Sequence, residues 1–316
     1  CVYSDYQGWN HKQFTGRGEF ALVFGNFEVN MKVPADHVIC ATGTIQNAAE
    51  VLNATQLGRW KQAQAADTPV EVVTLDEAKQ REKNPESVAT KTWKYKAENV
   101  RDFAWGSSRK FIWDAMSQPI EGKNVMCMSY YPKEAYALYN RYSTKVVAHT
   151  LRVYSKHTIA YPYPTAISVE ASNGMEYPMI SFNGPRPTKD KKTGELTWSR
   201  RTKYGLIGVI IHEVGHNYFP MIVNSDERQW TWMDEGLNSF LEFMSELRWD
   251  ENFPVMGGNS NSLDEIGSYM MSEDQVPIMT NSETVIQFGS NAYDKPAAAL
   301  TVLRETVMGR ELFDFA

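Results

Sequence analysis

The sequence predicts an α+β chain, and three stretches carry that prediction. Residues 26–33 alternate polar and apolar strictly, with Phe27, Val29, Met31 and Val33 on one face, as in a half-buried strand. Residues 132–156 repeat apolar side chains at helical spacing, with Ala135, Leu138, Tyr142 and Val146 in one stripe. Leu237, Phe240, Leu241, Met244 and Leu247 form a second helical stripe that opens at Glu235. The chain has 316 residues, 42% hydrophobic and 12% aromatic, enough for a substantial core in one large domain or two smaller ones.

Taken in order, residues 1–55 read as β structure. Gly16 and Gly18 break the segment before the first alternating strand, a turn follows at residues 34–37, and Val38–Ala41 begins another short strand. Strands starting at the first residue are expected to be the end of a β-rich domain that begins upstream, because a sheet with missing strands would expose edges. Residues 56–97 are polar and charged and read as a solvated connector, with a short helix stopping before Pro85. A second domain is expected over 98–316. It opens with strands at 100–105 and 125–131, followed by the helix at 132–156 and an alternating strand at 166–170. In the next strand, 174–182, Pro178 marks a sheet edge or a bulge. Residues 187–203 form a basic, turn-rich run that reads as a solvated hairpin without a role. A loop at 257–261 precedes Ser262-Leu-Asp-Glu265, a capping box opening a helix, and a further helix starts near Tyr293 with Pro296 in its first turn. No internal repeat is visible.

The net charge of −6 argues against a nucleic-acid partner, which wants a basic face. No run of eighteen apolar residues is present, so no spanning helix is expected. No signal-peptide pattern opens the chain. Cys1, Cys40 and Cys127 are scattered without a C-x-x-C and read as buried or free thiols. The residues after Cys1 read as β structure, which argues against a lipid-bearing tether there. Compartment and oligomeric state stay open.

The chemistry concentrates between residues 210 and 235. His212, Glu213 and His216 spell H-E-x-x-H, and Glu235 follows after eighteen residues. On a helix, residues four apart share a face, so two imidazoles can share one zinc ion with Glu213 beside them as a base. A third ligand that leaves one position open completes a catalytic zinc, and His-His-Glu is such a set. The apolar run at 204–211 suits a buried helix, where polar ligands are costly unless paired or metal-bound. One zinc per chain is therefore expected, held by His212, His216 and Glu235. His149 and His157 have no partner at ligand spacing and read as packing or surface residues. Trp198, Trp230, Trp232 and Trp249 read as core or rim packing. Glu176 by itself reads as a strand-end acid, and Tyr293 as a helix-start aromatic.

These residues together resemble the aminopeptidase N family of zinc metallopeptidases, within the thermolysin-like gluzincins. Gly174-Met175-Glu176-Tyr177 is similar to that family's G-x-M-E-N exopeptidase motif. The zinc pattern matches its H-E-x-x-H-x18-E, Trp232-Met-Asp-Glu235-Gly its W-L-x-E-G, and Tyr293-Asp-Lys its Y-E-K-G. Residues 18–34 also look like the end of the family's N-terminal domain. The resemblance implies a thermolysin-like catalytic domain of mixed sheet and helices, preceded by the end of a β-rich domain. It implies hydrolysis of the first peptide bond of peptides with a free N-terminus. Glu213 would be the catalytic base, Tyr293 the transition-state donor, Glu176 the amine anchor, and Gly174 and Met175 substrate-binding. The departures are Asn173 and Tyr177 at the exopeptidase motif, Phe219-Pro-Met for F-G-N, and Pro296 for the Gly of Y-E-K-G. They suggest a divergent branch. The family's C-terminal helical domain has no counterpart here, so the chain is expected to be a fragment. A thermolysin-type endopeptidase would need the same zinc set without the amine anchor, and a silent peptide-binding homologue would keep only the fold.

Overall fold

The computed structural model describes residues 2–4, 8–11, 13–19, 21–254 and 263–316. Cys1, the loop expected at 257–261 and Ser262 of the expected capping box lie outside the described residues. The chain forms two compact units, one of residues up to Phe24 with Tyr218–Ala316, the other Gly25–Asn217. The first unit opens with a short antiparallel hairpin, β1 (Val2–Ser4) and β2 (Gly8–Asn10). The α+β class expected from the sequence is what the structure shows.

In the Gly25–Asn217 unit, β3 (Gly25–Pro34) buries the expected face. Met31 and Val33 are buried, Phe27 and Val29 half-buried, and the intervening polar residues exposed. The short strand expected after the turn is β4 (Val38–Ala41), wholly buried, and β5 (Thr44–Ile45) follows. Next come α1 (Ala48–Val51), α2 (Ala54–Ala63), β6 (Val70–Val73), α3 (Leu75–Lys83) and β7 (Thr90–Val100). Residues 56–97, expected as a solvated connector, thus contribute regular elements, with Trp60, Val72, Val73, Trp93 and Tyr95 in the core. The polar runs that suggested solvent belong to the outer faces of amphipathic helices. Asn53 and Thr74 close capping boxes at the starts of α2 and α3, and α3 stops just before Pro85 as expected.

The rest of this unit runs β8 (Trp105–Ser108), β9 (Ile112–Ile120), β10 (Lys123–Tyr131), α4 (Tyr136–His157), β11 (Thr165–Glu170), β12 (Met175–Tyr177), β13 (Ile180–Asn183), the exposed hairpin β14 (Thr188–Lys189) and β15 (Leu196–Thr197), and α5 (Arg200–Gly215). Residues 101–104, expected inside a strand, instead link β7 to β8. The last pairing of β7, Val100 with Gly25, lies across a register shift. The helix expected from 132 begins at Tyr136, because Pro132 to Ala135 form a turn closed by Ala135 N–H on Pro132 O.

The main sheet has the order β12-β13-β11-β10-β9-β6. β10, β11 and β13 are parallel neighbours, with α4 as the crossover between β10 and β11. β12 pairs antiparallel with β13 and forms the sheet's edge. Strand β11 is buried through Val169, so both of its faces are covered. Under α4 the sheet carries buried hydroxyls: Ser129 donates to Ser143, Ser143 to Ser168, and Asn183 Nδ2 to Ser168. These bonds fix the register of β10, β11 and β13, the strands nearest the site. α5 packs on α4 and on the β11–β13 edge.

In the other unit α6 (Glu235–Trp249) buries Phe240, Leu241 and Met244, while Leu237 is half-buried and Leu247 exposed. The expected stripe is therefore real over its middle. α7 (Leu263–Met270), α8 (Lys295–Val302) and α9 (Arg310–Phe315) complete it. Arg228 ties the first residues to this unit through Gln13 O, Arg17 O and Glu283.

Asp114, on β9, accepts hydrogen bonds from Tyr131 and Asn140. Burial pushes its carboxyl from an ordinary 3.8 up to about 7; the Tyr131 bond opposes this and Glu71 adds to it. The folded chain therefore holds a proton that the unfolded chain releases. The stabilisation is full below pH 3.8 and is lost as pH rises toward about 7. Stability of the wild type should fall between pH 5 and pH 7 by about 2 kcal/mol more than that of Asp114→Asn, at about 1.4 kcal/mol per pH unit. Denaturant unfolding at several pH values measures this, and parallel curves for the two proteins would refute it.

Candidate metal centre

Helix α5 is begun by Ser199, whose Oγ accepts the Thr202 N–H. Leu206, Ile207, Ile210, Ile211 and Val214 are buried, so the helix is held by apolar contact along most of its surface. That fixes the remaining face, which carries His212, Glu213 and His216. His216 caps the C-terminus, with its N–H still bonded to His212 O at 3.1 Å. The two imidazoles stand at 86° with their Nε2 atoms 3.0 Å apart. Two zinc–nitrogen bonds of about 2.0–2.1 Å at a tetrahedral angle would hold the nitrogens about 3.3 Å apart, so the pair fits one ion with a shift of a few tenths of an ångström.

Strand β12 meets this face. Glu176, Glu213 and His216 are all buried, and one ligand atom from each lies within 4.8 Å of the others. Two carboxylates so close repel one another unless a cation or proton joins them. The approach depends on Gly174. A Cβ there would lie 2.5 Å from Glu213 Oε1 and 3.1 Å from Val209 Cγ2. Met175 is half-buried and stands opposite Phe182 in the β12–β13 pair.

Asn217 was not singled out by the sequence. Its Oδ1 accepts the Met179 N–H at 2.8 Å and the Tyr161 hydroxyl at 3.2 Å, while its Nδ2 donates to Val214 O. Met179 sits at φ 65°, unusual for a side chain of that size, in the turn between β12 and β13 that Pro178 opens. The residue after the second histidine thus clamps the turn that carries Glu176. Its only signal in the sequence was adjacency to His216.

The other unit holds the remaining site residues. Glu235 is the first residue of α6 and is buried. Tyr293 lies in a π-helical stretch, Ser290–Asp294, that leads into α8, and its hydroxyl donates to Glu235 Oε1 at 2.6 Å. Gly236 makes this possible: a Cβ there would lie 2.1 Å from Pro296 Cγ and 2.8 Å from Ala292 O. Pro296 has no N–H to offer the Ala292 carbonyl four residues back, and that carbonyl faces Gly236. Pro296 occupies the first turn of α8, as expected.

The structure therefore gathers His212, Glu213, His216, Glu176 and Gly174 in one unit, and Glu235 with Tyr293 in the other. His149 is buried on α4 and His157 half-buried at its end, and among the described residues neither joins a group that could hold a metal. The four tryptophans near the motif are half-buried, and Trp232 donates to Met279 Sδ. Cys40 and Cys127 are free and buried, as expected.

No family model matches the chain. Endoplasmic reticulum aminopeptidase 2 of Bos taurus is 28% identical over 162 residues, 46% of this chain and 16% of that protein. The solved structures with a similar fold are M1 zinc metallopeptidases and a related aminopeptidase. The M1 zinc metallopeptidase of Deinococcus radiodurans superposes with TM-score 0.60 at 16% identity, covering 93% of this chain and 56% of that one. A mutant of it has been solved with a Tyr-Ser-Ala substrate, at TM-score 0.57. Aminopeptidase A of Legionella pneumophila, in complex with aspartic acid, gives TM-score 0.60 at 11% identity over 94% of this chain and 30% of that one. The solved structures establish the fold. The matches cover between 16% and 56% of the length of these relatives. Among the described residues no helix is long and apolar enough to cross a membrane.

Two glycine substitutions should separate site geometry from fold. Gly174→Ala meets the far end of the Glu213 side chain, which can swing away. It should leave the melting temperature nearly unchanged and, on the catalytic reading proposed below, lower peptide turnover on the order of ten- to a hundredfold, through misplacement of Glu213. Gly236→Ala meets a proline ring and a backbone carbonyl, which cannot swing. It should destabilise the protein by about 1–3 kcal/mol. Thermal melts paired with peptide hydrolysis check both, and a reversed pattern would show that these contacts are read wrongly.

Proposed function

We propose that the chain is the catalytic part of a zinc-dependent aminopeptidase that removes the first residue from peptides with a free N-terminus. The observation that carries the reading is Glu176, a buried carboxylate beside Glu213 and His216 on the edge strand of the main sheet. Such a carboxylate calls for a cation, and the α-ammonium of an unblocked peptide is one. The names and ligands of the M1 relatives support the same reading.

One zinc ion per chain is held by His212, His216 and Glu235, the set expected from the sequence spacing. The facing Nε2 atoms of the histidines fit it. Zinc in such a set polarises a carbonyl and acidifies water. Glu213 takes the proton of the attacking water and returns it to the leaving amine. Tyr293 donates to the oxyanion, its hydroxyl turning there from Glu235 Oε1, to which it donates in this structure. Glu176 pairs with the substrate ammonium and sets the cleavage one residue from the end. Gly174 and Met175 offer backbone to an extended peptide, in the manner of strand addition to an open edge. On this reading residues 98–316 form the catalytic domain and 1–55 end a β-rich domain, with 56–97 between them in sequence and packed into the core.

Glu213→Gln should keep zinc by metal analysis and lose turnover by about a thousandfold, because a base acting in the transition state is removed. The amine-anchor role has a separate test. Glu176→Ala should cost roughly 2–5 kcal/mol on free-amine peptides, the range for truncating one partner of a desolvated charge pair. On the acetylated counterparts the cost should be small. Equal losses on the two series would mean that Glu176 reads no amine, and the endopeptidase alternative would move ahead.

A further inference from the structure

A cavity of about 720 Å³ opens beside the site, and Gly174, Val209, Asn173, Glu170 and Arg186 are among the residues that line it. Two of these border the chemistry. Gly174 abuts Glu213, and Val209 lies one helical turn before it on α5. The volume suits a ligand side chain with water.

We infer that this cavity receives the side chain of the peptide's second residue and selects lysine or arginine there through the Glu170 carboxylate. The inference rests on the aminopeptidase reading, which fixes where the peptide begins. Glu176 and Gly174 are two residues apart on one extended segment, so they share a face. A peptide whose amine meets Glu176 and runs along β12 toward Gly174 advances about 3.3 Å per residue, which brings its second residue to the mouth of the cavity.

The charge preference follows from the two ionic groups in the wall. Glu170 ends β11 with its side chain only 10% exposed, whereas that of Arg186 is 53% exposed. They meet at 3.7 Å between Arg186 Nε and Glu170 Oε1, a loose contact, and no hydrogen bond to the Glu170 carboxylate forms among the described residues. Burial raises the Glu170 carboxyl above the ordinary carboxylate range, Arg186 only partly opposes this, and Glu134 adds to it. The carboxylate is thus undercompensated, and a second cation entering the cavity would pair with it directly. An acidic side chain gains less. Arg186 is half exposed, and the incoming carboxylate would stand beside the Glu170 carboxylate.

The test uses the zinc-loaded protein and three peptides, Ala-Lys-Ala, Ala-norleucine-Ala and Ala-Glu-Ala, with acetylated copies of each. The lysine peptide should exceed the norleucine peptide in kcat/KM by about tenfold, with the glutamate peptide lowest. The lysine-to-norleucine ratio should fall to near one in Glu170→Gln. Equal rates on lysine and norleucine in the wild type would overturn the inference while leaving the aminopeptidase reading intact. A preference for glutamate that Arg186→Ala abolishes would overturn it in favour of an acid-reading cavity. Cleavage of acetylated peptides as fast as free ones would sink the aminopeptidase reading itself. Calorimetric binding of the three peptides to zinc-loaded Glu213→Gln protein adds a readout independent of turnover, and equal affinities there overturn the inference as well.

Discussion

A buried negative charge must find a positive one, and the site is arranged around that constraint. Glu176, Glu213 and His216 crowd within 4.8 Å behind an apolar helix and the edge of a sheet. Removing one carboxylate from water costs several kcal/mol even after relaxation, and setting two side by side adds repulsion. On the aminopeptidase reading proposed above, cations meet this cost: a metal ion at the histidines and an ammonium at Glu176. The hydrophobic positions of α5 and the hydroxyl bonds beneath α4 then have a shared purpose. They stiffen the walls, so the charges cannot move apart to lower their energy.

Stiffness is delivered by close approach. Gly174 lets the β12 segment lie against Glu213, and Gly236 lets α6 lie against Pro296 and the Ala292 carbonyl. In both places the absent Cβ does the work, and no φ argument is needed. Asn217 adds a polar clamp, spanning the end of α5 and the turn at Met179. A backbone conformation unusual for methionine persists there because three hydrogen bonds to one buried amide surround it.

How much of this was legible in the sequence depended on the kind of constraint. His212, Glu213, His216 and Glu235 stood out as a candidate set because ligand spacing is a property of one helix and one return. The strand at Phe27–Val33 and the middle of α6 could be read because burial leaves a period. Gly174, Gly236 and Asn217 act through contacts between segments distant in sequence or through side chains with no period, so their roles had no local signature. The same limit affected residues 56–97. Their polar surface residues outnumber the few apolar ones, yet Trp60, Val72, Val73 and Trp93 decide the fold of that stretch, because each aromatic buries far more area than a lysine exposes in penalty. The break at 101–104 followed from strand pairing, which composition does not show.

The departures from the family's motif pattern gain a physical account from the same contacts. Pro296 stands where the pattern has glycine, and its ring fills the space that Gly236 leaves, so the two positions form one packing unit. Tyr177 stands where the pattern has asparagine, and its ring meets Phe182 edge-on at 5.9 Å, which ties β12 to β13. Asn173 stands where the pattern has glycine, and it faces the cavity beside Glu170. None of the three alters a charged atom of the site. Two of them change how the walls pack, and one changes what lines the cavity. These three departures thus fall on positions that pack or line the cavity, while His212, Glu213, His216, Glu235, Glu176 and Tyr293 match the pattern. That division is expected where charged groups are fixed by electrostatics, which tolerates few substitutions, and the walls around them by packing, which tolerates more.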